Sequence, residues 1–261
     1  RITTHYYEKN ILSSIFSTIH EGGHAIYEQQ IDDIVSETVL GEGTSMGIHE
    51  SQSRIFENMF GRNINFLKNI FNKFDELFDV RSKGIEVEDF YKIVNTVSKS
   101  LIRIEADELT YPIHIMIRYE LEKEIFSNLD EIESSEYIDY LANKWADMYE
   151  EFLGVRPTTN SEGILQDVHW SSGLFGYFPS YALGSAYAAQ IYNSMNKEFS
   201  IEENLSNGNF DNINSFLKDK IHKFGKSKTP NELLILATGE AFNPDYYINY
   251  LKEKYRKIYG I

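Results

Sequence analysis

Cysteine is absent from these 261 residues, which excludes disulfides, thiolate metal sites and a cysteine nucleophile. The same absence fits a reducing compartment, and a cytoplasmic location is the expectation. No apolar run is long enough to span a bilayer and no signal peptide opens the chain, so no membrane partner is expected. Basic residues are outnumbered, 25 Lys+Arg against 40 Asp+Glu, and the net charge of −15 argues against nucleic-acid binding. Proline is sparse, and there is no low-complexity tract, internal repeat or Pro/Ser-rich linker, so residues 1–261 read as a single unit. What is plentiful is core material. At 42% hydrophobic and 14% aromatic, the chain is equipped to bury a core and unlike a disordered one.

Helical periodicity dominates. Ile11, Ile15, Ile19 and Ile26 mark one face of a helix from about Glu8 to Gln30. Residues 31–48, with Ile34, Val35, Val39, Leu40 and three glycines, predict a loop holding a small β-hairpin. Further helices are expected from about His49 to Phe78, from Val87 to Phe126 with a kink at Pro112, and over residues 133–153. Pro179 opens a helix to about Phe199, Thr229-Pro230-Asn231-Glu232 is a capping box, and Asn243-Pro244 starts the last helix. The fold class is mostly α.

His20-Glu21-Gly22-Gly23-His24 fits H-E-x-x-H inside the first helix. Residues four apart share a helix face, so both imidazoles can reach one cation. Glu21 is turned about 100° from His20, beside the metal but not necessarily on it, where it can polarise a bound water. Chance alone would give such a match in roughly two of a hundred chains of this composition. Two adjacent glycines inside a helix weaken it, so a close backbone approach or open space is expected there. A catalytic zinc site needs a third protein ligand and an open position. No third histidine follows at the extended spacing, because Tyr27 and Gln30 occupy those positions. Spacing leaves Glu50 ahead of Glu57, without excluding Glu57 as ligand, outer partner or surface acid.

Three more stretches are notable: His49-Glu50-Ser51-Gln52, Ile102-Arg103-Ile104-Glu105-Ala106-Asp107 and Gly163-Ile164-Leu165-Gln166-Asp167-Val168-His169-Trp170. With H-E-x-x-H they match, in order, the motifs H-E-S-Q, I-R-x-x-A-D and G-x-x-Q-D-x-H-W. The chain thereby resembles the carboxypeptidase Taq family (M32) of metallocarboxypeptidases over nearly its whole length. Arg1-Ile2-Thr3 resembles the end of that family's D-x-R-x-T motif. Family members are roughly double this length, so the resemblance implies the C-terminal half of one, with the opposite groove wall supplied by the other half.

The resemblance implies a helical zincin-like fold related to neurolysin and angiotensin-converting enzyme, a homodimer in the full-length protein, and peptide substrates with a free C-terminus. It implies His20, His24 and Glu50 as ligands of Zn2+ (Co2+ would suit the same set) and Glu21 as general base. It also implies His169 and Tyr181 as supports for the oxyanion, with Tyr177 as a substrate contact. A terminal carboxylate calls for a bidentate cation, and Arg103 or Arg1 is the candidate. The competing readings are a buried ion pair of Arg103 with Glu105, Asp107 or Glu108, and plain core packing for the tyrosines. Gln166 and Asp167 are expected to orient the His169 segment, and His49 to lie behind the ligands. His5, His114 and His222 read as ordinary, and Lys218, Lys220, Lys223, Lys226 and Lys228 as a solvated helix end. The alternatives for the whole are an oligopeptidase-like endopeptidase and a catalytically silent metal-binding fragment.

Overall fold

The Asn10 side chain accepts a hydrogen bond from the Ser13 amide at 3.1 Å and starts the first helix, α1, over Ile11–Gln29. The structure, a computed structural model, describes residues 1–4, 6–8, 10–131 and 134–261; His5 lies outside the described residues. After α1 come α2 (Asp33–Ser36) and α3 (Met46–Arg54), which passes directly into a π-helix, Ile55–Gly61. Next in order are α4 (Ile64–Phe78), α5 (Val87–Val94), α6 (Tyr111–Ser127), α7 (Ser135–Leu153) and α8 (Pro179–Glu198). The chain finishes with α9 (Ile201–Ser206), α10 (Asp211–Lys220), α11 (Pro230–Thr238) and α12 (Asp245–Tyr259). The protein is mostly helical, and none of its helices is long and apolar enough to cross a membrane among the described residues.

The hairpin expected near residues 31–48 is absent. Asp32 accepts the Ile34 amide at 3.0 Å and turns the chain into α2 instead. The amides of Ser36, Thr38 and Gly41 then bond to carbonyls of Asp32, Val35 and Thr38, leaving no pattern for a ladder. The helix expected over His49–Phe78 restarts at Asn63, whose side chain accepts the Asn65 amide at 2.9 Å. The one expected over Val87–Phe126 is interrupted as well. Asn95 turns its side-chain amide onto the carbonyls of Tyr91 and Arg62, at 2.9 and 3.1 Å. Asp107 collects the amides of Ser98, Leu109 and Thr110, each at 3.0 Å. Pro112 is consequently the second residue of α6, where its missing N–H is harmless, and it makes no kink.

Two compact units emerge: residues Arg1–Asn95 with Leu183–Ile261, and residues Thr96–Ala182. No composition shift marks either boundary. In the first unit Phe16, Leu67, Phe71, Val80, Phe90 and Val94 form a buried cluster. Its lysine-rich stretch is locally paired, Lys223 with Asp219 at 3.3 Å and Lys226 with Glu42. In the second, Ile117 and Leu121 of α6 pack on Trp145, Tyr149 and Leu153 of α7.

Each unit also buries a histidine completely, His222 in the first and His114 in the second. Burial, aided by Arg118 and Arg103 at His114 and by His49 at His222, pushes both imidazoles down to about 3. Below the ordinary histidine range the unfolded chain takes up protons that the folded one refuses. Stability therefore falls as pH drops from about 6.5 towards 3, by about 1.4 kcal/mol per pH unit for each histidine. Urea unfolding at pH 7, 6 and 5 measures this slope. His114→Gln should flatten it by one group's share, and an unchanged slope removes the assignment.

Candidate metal centre and its surroundings

α1 carries His20 and His24 one turn apart, with ring centroids 4.9 Å apart and planes at 84°. α3 brings up Glu50, which is buried. The Glu50 Oε2 atom lies 3.8 Å from His20 Nε2 and 3.7 Å from His24 Nε2, and one ligand atom from each residue falls within 4.8 Å of the others. Two glycines make this approach possible. A Cβ on Gly23 would stand 2.6 Å from the Gln52 carbonyl oxygen, and one on Gly184 of α8 would stand 2.6 Å from Glu50 Cβ. Gly22 is different, because a Cβ there would meet nothing within 4 Å.

Each donor is oriented from behind. His20 Nδ1 donates to Glu57 Oε2 at 3.0 Å, which leaves its Nε2 lone pair for the cluster. Arg62 holds the other Glu57 oxygen at 3.1 Å, and Arg54 Nε holds Glu50 Oε1 at 2.7 Å, so Glu50 keeps Oε2 for the imidazoles. Burial pushes the Glu57 carboxyl up, but the His20 hydrogen bond and the charges of Arg54 and Arg62 win and hold it well below the usual range. Behind His24 lies a second chain: its Nδ1 is 2.6 Å from His49 Nδ1, and His49 Nε2 is 2.8 Å from Glu28 Oε1. The carboxylate requires a donor, so His49 carries its proton on Nε2 and accepts from His24 Nδ1–H. The His24 Nε2 lone pair then faces Glu50. Burial and the neighbouring His20 lower His24 to about 4, keeping it neutral.

The donor set fits a divalent cation. Ligand bonds of about 2.1 Å at tetrahedral angles put ligand atoms about 3.4 Å apart, within a few tenths of the 3.8 and 3.7 Å that separate Glu50 Oε2 from the two imidazoles. Two imidazoles and one carboxylate also match the ligand types of hydrolytic zinc sites.

A second cluster occupies the second unit. Asp167 sits between two buried arginines: Arg103 Nη2 reaches Oδ1 at 2.7 Å and Arg118 Nε reaches Oδ2 at 2.7 Å. Arg118 also donates to the His114 carbonyl at 2.7 Å and to Gln166 at 2.8 Å, and Gln166 accepts the Arg103 amide at 2.9 Å. Burial pushes the Asp167 carboxyl up, yet the arginines outweigh it and hold it low. Two residues on, His169 Nε2 lies 3.0 Å from the Tyr181 hydroxyl, while its Nδ1 is buried without a hydrogen-bond partner. Burial, then the Arg103 charge, lowers the His169 imidazole, so it is neutral at pH 7. Trp170 Nε1 donates to Glu122 at 2.7 Å, and Glu122 also takes the Gly176 amide at 3.1 Å, which ties down the loop before α8.

The sequence model of the family described as Carboxypeptidase Taq (M32) metallopeptidase matches residues 1–255. This chain belongs to that family. Carboxypeptidase 1 of Bacillus subtilis is 49% identical over 260 residues, covering 99% of this chain and 51% of the relative. Thermostable carboxypeptidase 1 of Pyrococcus furiosus is 41% identical over 256 residues, 98% of this chain and 50% of that protein. The crystal structure of an M32 carboxypeptidase from Deinococcus radiodurans superimposes with a TM-score of 0.93 at 38% identity, over 100% of this chain and 52% of that one. The chain thus spans about half the length of the curated relatives it matches.

In this M32 chain the residues singled out from sequence fall into two groups. His20, His24 and Glu50 converge, with Glu21 half-buried beside them on α1. His169 and Tyr181 are hydrogen-bonded, and Tyr177 packs its ring 5.5 Å from His169. Arg103 is ion-paired, though with Asp167 rather than with Glu105, Asp107 or Glu108. Its bonds to Asp167 and to the Tyr111 hydroxyl use three of its five N–H donors. Arg1 is exposed in an irregular stretch and joins neither group. Sequence reasoning missed Arg118 and Glu28. Neither lies in a motif, and the one available signal was an arginine placed on an otherwise apolar turn of α6.

Proposed function

We propose that this M32 chain supplies the metal-binding part of a carboxypeptidase that removes C-terminal residues from peptides, on a helical zincin-like scaffold. The observation that carries the reading is the convergence of His20 Nε2, His24 Nε2 and Glu50 Oε2, each with its outer partner in place. These three residues hold Zn2+, with Co2+ as a substitute. The cation supplies Lewis-acid polarisation of the scissile carbonyl and acidifies a water. Glu21 accepts the proton of the attacking water and delivers it to the departing amine. His169 and Tyr181 donate hydrogen bonds to the developing oxyanion, and Tyr177 contacts the peptide. The two N–H donors that Arg103 does not use on Asp167 and Tyr111 recognise the terminal carboxylate, with Arg1 as the second cation for that role. The full-length protein acts on peptides as a homodimer.

A free-acid peptide and its C-terminal amide distinguish this from an endopeptidase. Losing a charge-assisted carboxylate contact should lower kcat/KM for the amide by about 10–100-fold. Equal rates reject the carboxypeptidase reading. Because the chain spans about half of its relatives, a silent metal-binding fragment is the second reading for these 261 residues. Assaying them beside the full-length protein at equal metal content decides between the two.

A further inference from the structure

We infer that His222, outside every family motif, is a positioning residue that ties the two ligand-bearing helices of the metal centre together. The inference rests on the metal-binding reading of His20, His24 and Glu50. His222 is completely buried in the segment after α10. Its Nδ1 lies 2.8 Å from Gln30 Oε1, at the end of α1, and its Nε2 lies 2.8 Å from Gln52 Oε1, on α3. α1 carries His20 and His24, and Gln52 stands two residues beyond Glu50.

The proton count around this bridge closes in one way. Ser51 Oγ gives its hydrogen to the Ile48 carbonyl at 2.6 Å, so it accepts from Gln52 Nε2 at 2.8 Å. Gln52 therefore turns its oxygen to His222, and His222 carries its proton on Nε2. Its Nδ1 is then an acceptor and takes an N–H from the Gln30 amide, whose oxygen and nitrogen ends are interchangeable in shape. Both ring nitrogens of His222 and both ends of the Gln52 amide have partners, and a matched buried network holds a single geometry. The bridge closes the same joint that Gly23 leaves open for contact, where the backbones of α1 and α3 touch at Gln52. Tyr27 completes the seat, its ring 4.9 Å from His222 on one side and 5.1 Å from His49 on the other. With the bridge in place, α1 and α3 keep the spacing that sets His20 and His24 against Glu50. Without it, the carboxylate and the imidazoles lose their common register.

The test measures metal affinity in the full-length protein by competition with a chelator, together with the visible absorption of its Co2+ form. His222→Leu should weaken Zn2+ binding by about tenfold, the lower end for groups that orient ligands, and alter the Co2+ bands. Gln30→Ala, at a half-buried helix end with little risk to folding, should weaken binding in the same direction, by about threefold or more. His222→Gln, which keeps a donor to Gln52, should restore most of the affinity. Leu205→Ala, fully buried in α9, lowers the melting temperature and serves as the control for simple destabilisation. The inference is overturned if His222→Leu and Gln30→Ala bind Zn2+ within twofold of the parent, or if Leu205→Ala weakens binding as much as His222→Leu. A parent protein that binds no divalent metal sinks the metal-binding reading, and the inference with it.

Discussion

Replacing Glu21 by glutamine should leave Zn2+ affinity within about threefold and lower kcat by about 10²–10⁴, the span general-base catalysis supplies. The amide has the same shape as the carboxylate but cannot take a proton from water. The proposed ligand atoms lie on His20, His24 and Glu50, and their outer partners are Glu57, His49 and Arg54, so Glu21 is not among the groups proposed to hold the cation. Two measurements on the shortest form of the protein that hydrolyses peptides suffice: metal content after dialysis, and kcat under saturating substrate. A variant that keeps more than a tenth of the parent's kcat removes Glu21 from the role. A variant that loses its metal would show that Glu21 helps hold the site instead.

The second large effect concerns which acid is the ligand. Glu50→Ala should weaken metal binding by more than the 10–100-fold typical of an outer partner, whereas Glu57→Gln should fall inside that range. The difference lies in the atom that each acid presents. Glu50 turns Oε2 to both Nε2 atoms, while Glu57 meets His20 only at Nδ1, on the far side of the ring. Glu57→Gln also leaves Arg62 and Arg54 short of a charge partner, which loosens the support but keeps every ligand atom. Equilibrium competition against a chelator gives both numbers. The reverse order, with Glu57 the more damaging, would assign Glu57 as the ligand.

The identity of the donors was legible because a turn of helix fixes His20 and His24 on one face whatever surrounds them. Spacing alone put Glu50 only a little ahead of Glu57, and the choice between them came from the H-E-S-Q resemblance. Counting turns from Glu50 assumes an α-helix, and the π-helix at Ile55–Gly61 carries Glu57 behind His20 instead. The paired glycines signalled a close approach but could not say that Gly23 makes it and Gly22 does not, since that depends on what α3 presents to each. His222 looked ordinary because its two partners lie 192 and 170 residues away in sequence. Arg118 escaped for the same reason, being matched to Asp167 across 49 residues. The hairpin and the two over-long helices failed where short polar side chains (Asp32, Asn63, Asn95 and Asp107) captured nearby backbone groups, which apolar spacing does not register.

A π-turn is an α-helix holding one residue more than its turns require. Between Arg54 and Arg62 the reading frame of the helix is therefore part of the site. Excising one residue of 58–61 would let the segment relax to α geometry with the start of α4 close to its place, while the side chains inside the window turn relative to α1. The ligand-bearing residues and the motifs would be intact. Yet Glu57 would be turned away from His20. Within an apparently ordinary helix, the chain has a seven-residue window whose length, as well as its buried side chains, is part of the site.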